Sequence, residues 1–216
     1  MPIYLGANPW ILILLISLEL LLIMVPALIS AKIEKKPFKT VIREMGFSLT
    51  EMKLKKTLLE VVAGIGLGLL LYFTSGFILT FTVQFVELIF GTEFVNQGIN
   101  NAINTTPIEP DLIQLIIIII LQVIIVAPCE EGFFRGFILK KCNSRIKLIY
   151  ALLISSAIFA LFHVPPFIVP ITTLVTFYGY YFLLGCSLAL IFTVFRSSLI
   201  PGIATHALFN VLVILL

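Results

Sequence analysis

The feature that most constrains this chain is a series of long apolar stretches. We count six, at residues 9–31, 57–88, 112–139, 147–164, 168–195 and 198–216. A helix needs about 20 apolar residues to cross the hydrocarbon core of a bilayer. Hydrophobic residues make up 60% of the chain and charged residues 12%, whereas soluble domains carry about 25% charged residues. The sequence therefore predicts an all-α, polytopic transmembrane helix bundle with about six spans, in contact with lipid and without a nucleic-acid partner.

The basic residues are distributed unevenly among the connections between these stretches. Residues 32–56 hold eight of the fourteen lysines and arginines, residues 140–147 hold four, and Arg196 lies in the fifth connection. The second and fourth connections contain no Lys or Arg. Because cytoplasmic loops carry an excess of Lys and Arg, we predict that the basic loops are cytoplasmic and that both termini face outward. Within the first connection, "FKTVIREMGF" predicts either an interfacial helix or a plain loop.

The ionisable residues of most interest lie inside the apolar runs of three different predicted spans. These residues are Glu130, His163 and His206, and the chain has no other histidine. At the helical rise per residue their depths from the cytoplasmic side are roughly 12–24 Å, and ordinary helix tilts can bring them into one layer. Charged groups at membrane depth usually face a protein interior or a wet cavity. The sequence therefore predicts a polar cavity near the middle of the membrane.

Spacing within the third span separates two adjacent carboxylates. Glu131 and Arg135 are four residues apart with the glutamate first, which is the favoured orientation for an ion pair on one helix face. Glu130 points about 100° away from that face and has no such partner in its own helix. Phe159 and His163 show the same four-residue spacing, so an aromatic ring lies one turn from the imidazole.

The same spacing relates His206 to Asn210, which can present two hydrogen-bond donors side by side. Such donors stabilise a developing oxyanion. The residues together predict a hydrolytic centre, in which Glu130 removes a proton from a water that His163 helps to hold. His206 and Asn210 would then bind the charged oxygen of the tetrahedral intermediate.

Each of these residues also has a purely structural interpretation. The Glu131–Arg135 pair can serve only to hold helices together, intramembrane His and Asn side chains often form interhelical hydrogen bonds, and Phe159 can be a packing residue. Cys129, beside Glu130, is an alternative nucleophile in a pair with His163. Glu19 lies mid-span in "ISLELLL", where a partner inside the bundle is the simplest expectation.

Taken in order, three motifs resemble those of a known family. "EEGFFR", "FALFH" and "HALFN" fit the EExxxR, FxxxH and HxxxN/B pattern of the CPBP intramembrane proteases, and the resemblance covers roughly residues 112–213. That family includes CAAX prenyl-protein endopeptidases and bacteriocin-processing or immunity proteins, also called the abortive-infection type. The resemblance implies an N-terminal membrane region at 1–111, with two spans and the basic loop, and a catalytic core at 112–216 with about four spans.

The resemblance also implies an activity and a role for each site residue. It implies an intramembrane endopeptidase that acts on a membrane-associated peptide or protein, including prenylated ones. By position, the catalytic base is Glu130, the supporting pair is Glu131 with Arg135, the water-positioning histidine is His163, and the oxyanion partners are His206 with Asn210. Some CAAX-processing members have eight spans rather than six, which leaves the substrate open.

Two further alternatives stay open. Catalysis without a cofactor is the preferred mechanism, because the HExxH zinc signature is absent; a zinc site made by Glu130, His163 and His206 is the alternative. The alternative function is a non-catalytic membrane protein, either an immunity or scaffold protein or a proton-coupled transporter, that uses the same polar core.

Overall fold

The computed structural model describes residues 3–47, 53–104 and 107–216, and they are almost entirely helical. Eight helices follow one another along these residues: α1 (Pro9–Glu34), α2 (Phe38–Glu44), α3 (Leu54–Phe90), α4 (Thr92–Asn100), α5 (Leu112–Asn143), α6 (Leu148–His163), α7 (Ile171–Val194) and α8 (Ile200–Leu215). Two very short strands, β1 (Ile3–Tyr4) and β2 (Ile103–Asn104), pair in parallel. The predicted all-α class is confirmed.

Four of the helices have the length and apolar composition needed to cross a membrane. These are α1, α3, α5 and α7, whereas α6 and α8 are apolar helices of 16 residues each. The chain is therefore an integral membrane protein. All six predicted apolar stretches form helices, but the count of six spans stays a prediction because two of them are short for a span. The segment "FKTVIREMGF" contains α2, so its helical interpretation is correct and the plain-loop alternative is wrong.

The outer face of α3 carries a row of exposed aromatic side chains. Phe73, Phe77 and Phe81 recur every fourth residue and are 70%, 79% and 67% exposed. Such a row suits contact with lipid, since no water-facing surface would tolerate it without a partner.

The opposite face of α3 packs closely against α8. A Cβ added at Gly64 would lie 2.6 Å from both the Ala204 side chain and the Pro201 carbonyl oxygen, and one added at Gly68 would lie 3.0 Å from the Thr205 carbonyl oxygen. Small residues four apart let membrane helices approach at backbone distance. This contact holds α8, and with it His206, against the bundle.

The helix α5 contains two segments with a wider hydrogen-bonding pattern, one on each side of the paired glutamates. Residues Gln122–Val126 and Gly132–Leu139 adopt the wider π-helical turn, and the α-helical turn Ala127–Glu131 lies between them. Pro128 has no N–H to donate and crowds the carbonyl four residues earlier, which disfavours a regular α-turn there. Wide turns of this kind are frequent at functional sites.

Candidate active site

A fully buried ion pair lies at the centre of the site. Arg135 Nη1 donates to Glu131 Oε1 at 2.9 Å, and both side chains are essentially inaccessible to solvent. Arg135 Nη2 donates to the carbonyl oxygen of Gly185 on α7 at 3.0 Å. The predicted pairing of Glu131 with Arg135 is therefore present, and it also ties α5 to α7.

Glu131 has a second partner that the sequence pattern does not indicate. Its Oε1 lies 3.0 Å from Nδ1 of His206 on α8. Because this carboxylate is already paired with Arg135, it accepts, and His206 Nδ1 donates. A Cβ at Gly202 would lie 3.1 Å from Glu131 Oε2, so the first turn of α8 approaches the carboxylate closely.

The second glutamate, Glu130, points to the two imidazoles instead. Its Oε2 lies 3.8 Å from Nε2 of His163 and 4.0 Å from Nε2 of His206. Among the described residues this buried oxygen has no hydrogen-bond partner. The structure therefore brings together the three residues that the sequence places on separate helices.

His163 reaches this position from the last residue of α6. Its Nδ1 lies 3.0 Å from the carbonyl oxygen of Phe159, which can only accept, so Nδ1 carries the proton. Its ring stacks on Tyr181 of α7 with 4.7 Å between centroids and lies 4.3 Å from the ring of Phe159. The imidazole is thereby held with Nε2 facing Glu130.

Phe159 lies one helical turn before His163, and Asn210 lies one turn after His206. Phe159 lies under the Arg135 guanidinium, 4.6 Å from ring centroid to Cζ, and 6.1 Å from the ring of His206. Asn210, one turn beyond His206, donates from Nδ2 to Oε1 of Gln122 at 2.9 Å. An oxyanion role for Asn210 stays a prediction, and Gln122 is a partner that sequence reasoning missed.

Two other sequence candidates lie at the edge of the site. Cys129 is a free cysteine and is buried, and buried cysteines of this kind are usually inert. Glu19 Oε2 is buried, and no described residue forms a hydrogen bond with it. The hydrogen-bonded partner expected for this atom inside the bundle is thus not found among the described residues.

The alternative zinc site of Glu130, His163 and His206 stays a prediction. No group of three or more His, Cys, Asp or Glu side chains in the described ranges is placed to hold a metal ion. Glu131 Oε1 accepts from both Arg135 Nη1 and His206 Nδ1.

Part of the chain matches a known protein family. A sequence model of the Rce1-like family, described as type II CAAX prenyl endopeptidase Rce1-like, matches residues 112–212. No curated protein and no solved structure matches the chain. The matched range contains the proposed catalytic and supporting residues but not Glu19, and the Rce1-like family is a family of proteases. Residues 112–212 of the chain match the Rce1-like family of type II CAAX prenyl endopeptidases, which agrees with the predicted resemblance to the CPBP proteases.

Proposed function

We propose that this protein is an intramembrane endopeptidase in which Glu130 activates a water for attack on a peptide bond. One observation carries the proposal: a buried carboxylate oxygen without a hydrogen bond from any described residue faces two imidazole nitrogens, at 3.8 and 4.0 Å. These separations are too long for direct hydrogen bonds and fit polar groups joined through a water.

The two imidazoles would act differently because their Nδ1 atoms have different partners. His163 donates from Nδ1 to a backbone carbonyl, so in the neutral ring Nε2 has a free lone pair that accepts a hydrogen bond from water. His163 therefore orients the water toward Glu130. His206 is held by Glu131 through Nδ1, and when its Nε2 carries a proton it donates to the oxygen of the substrate.

The proposed reaction uses Glu130 first as a base and then as an acid. Glu130 takes a proton from the water as the oxygen attacks the carbonyl carbon of the scissile bond. The carbonyl oxygen becomes an oxyanion, which accepts hydrogen bonds from His206 Nε2 and from the amide of Asn210. Glu130 then gives the proton to the leaving nitrogen, the C–N bond breaks, and an acid and an amine are released.

The substrate class comes from the family match. A type II CAAX prenyl endopeptidase acts on a prenylated C-terminal sequence, and a prenyl chain brings such a protein to the bilayer. We therefore propose a membrane-associated CAAX-type peptide or protein, with lipid as the surrounding medium.

The decisive experiment compares wild-type protein with Glu130→Gln in membranes. The amide keeps the size of the side chain but cannot accept the proton, so we expect general-base catalysis, a factor of about 10²–10⁴, to be lost. Peptides released in each membrane are identified by mass spectrometry, with a farnesylated CAAX peptide added as a defined substrate. Glu93→Gln, an exposed change on α4, is the matched control and should cleave as wild type.

Full cleavage by folded Glu130→Gln would reject the mechanism. Proton flux in liposomes without any peptide cleavage by the wild type would instead favour the non-catalytic alternative, since intramembrane acids also form proton pathways.

Metal dependence has its own test. We expect cleavage to continue in EDTA or phenanthroline, because the water is activated by Glu130 and its two histidines. Loss of cleavage in chelator, restored by added zinc, would support the alternative set of Glu130, His163 and His206 as zinc ligands.

A further inference from the structure

The most isolated polar side chain of α5 before the glutamates is Gln122. It lies in the apolar run "LIIIIILQVIIVAP", eight residues before Glu130, and it begins the first wide turn of the helix. A polar amide at membrane depth needs a hydrogen-bond partner, because lipid supplies none. The wide turn carries Gln122 to the face where α8 packs on α5.

The partner of this amide is a residue of the proposed catalytic set. Asn210 Nδ2 donates to Gln122 Oε1 at 2.9 Å. The two residues lie on different helices and are 88 positions apart in the sequence. An Asn amide can turn either its NH₂ group or its oxygen toward a given point. A fixed acceptor on one N–H sets the plane of the amide and the direction of the second N–H.

We infer that Gln122 is a positioning residue that holds the Asn210 amide with an N–H directed at the oxyanion. The inference rests on the proposed function, in which Asn210 is an oxyanion donor. Without Gln122 the amide would rotate, and its oxygen would face the developing negative charge in part of the molecules. Preorganised donors are effective because they need no reorientation during the reaction.

This arrangement parallels the one on the neighbouring donor. His206 is oriented by Glu131, which does not itself need to touch the substrate. Asn210 is oriented in the same way by Gln122. Each proposed oxyanion donor on α8 is thus held by one side chain of α5, on opposite sides of Glu130 along that helix.

The test is a double-mutant cycle measured with a farnesylated, fluorescence-quenched CAAX peptide. Gln122→Met keeps the side-chain length and removes the acceptor, and Asn210→Ala removes the donor. We expect Asn210→Ala to lower kcat about 10²–10³-fold and Gln122→Met to lower it about tenfold, in line with one neutral hydrogen bond. KM should change little in both. In the Asn210→Ala background, Gln122→Met should have no further effect, since the amide it orients is gone.

Controls separate this role from general stability. Gln114→Met changes the glutamine that caps the start of α5 and should leave kcat unchanged. Gln122→Glu keeps an acceptor at the same place and should restore part of the lost kcat; a folded Gln122→Glu variant as slow as Gln122→Met would overturn the inference.

Other outcomes of the double-mutant cycle would contradict the inference. An unchanged kcat in Gln122→Met, or an equal loss with and without Asn210, would show that Gln122 does not act through Asn210. If the wild type cleaves no peptide, the proposed function fails; if it cleaves, and only the predicted coupling is missing, the inference fails alone.

Discussion

Two glutamates that are neighbours in the sequence have opposite surroundings in this site. Glu131 is paired with Arg135 and His206, both on one carboxylate oxygen. Glu130 Oε2 has no hydrogen bond from any described residue and faces two Nε2 atoms. One helical step of about 100° thus separates a structural carboxylate from one available for proton transfer.

The first residue-scale prediction concerns the buried pair. Arg135→Met removes the arginine paired with Glu131 and leaves a buried carboxylate without that partner, and breaking a buried pair costs about 3–5 kcal/mol. We expect a clear fall in thermal unfolding temperature in detergent. Arg145→Met, an exposed change in the third connection, is the control and should leave that temperature unchanged.

A second variant distinguishes the charge from the packing of the arginine. Adding Glu131→Gln to Arg135→Met removes the unpaired charge, so part of the lost stability should return. If the double variant is no more stable than Arg135→Met, the loss comes from the volume of the arginine and not from the charge of Glu131.

Sequence reasoning reached most of this site but not its cross-helix partners. The Glu131–Arg135 pair lies within one helix, so spacing alone predicts it. The contacts of Glu131 with His206 and of Asn210 with Gln122 join different helices, and they depend on helix rotation and approach, which periodicity does not give. The sequence nevertheless gives one indication that Gln122 has a partner, because it is a lone amide side chain in an apolar run.

At the scale of helices, the contact of α3 with α8 determines where His206 lies. Gly64 and Gly68 allow backbone approach along this contact, while the phenylalanines of the opposite face are exposed. Apolar length predicted both helices, but it could not show which face of α3 meets protein, because lipid and protein interiors are similarly apolar.

The element-scale prediction compares two glycines on that helix. Gly64→Ala places a methyl group 2.6 Å from the Ala204 side chain and the Pro201 carbonyl oxygen, and such overpacking typically costs about 1–3 kcal/mol. At Gly66 the new methyl of an alanine would meet no described atom within 4 Å beyond its own stretch of helix, so Gly66→Ala should gain helix stability of about 0.5–1 kcal/mol. Thermal unfolding should therefore shift in opposite directions, and cleavage should fall only in Gly64→Ala. A fall of equal size in both variants would contradict the packing argument.

At the scale of the whole molecule, the distribution of basic residues predicts the side of the membrane from which a substrate reaches the site. Lys140 and Lys141 lie near the end of α5, about ten residues beyond Glu130. At the helical rise per residue this is a distance of roughly 15 Å. At the other end of the bundle, Thr173 of α7 donates to the carbonyl oxygen of Gly98 on α4 at 2.8 Å. If the basic end is cytoplasmic, α4 covers the outer end of α7, and a substrate tail would reach Glu130 from the cytoplasm.

This orientation is testable by labelling single cysteines with a membrane-impermeant maleimide in intact cells. In a background where Cys129, Cys142 and Cys186 are serine, Asn96→Cys on the exposed face of α4 should be labelled directly. Ser144→Cys, exposed between Lys141 and Arg145, should be labelled only after the membrane is permeabilised, because the positive connections stay in the cytoplasm. The opposite labelling pattern would show the opposite orientation in the membrane. The C-terminus of a cytoplasmic CAAX protein would then have to approach Glu130 from the end of the bundle that α4 covers.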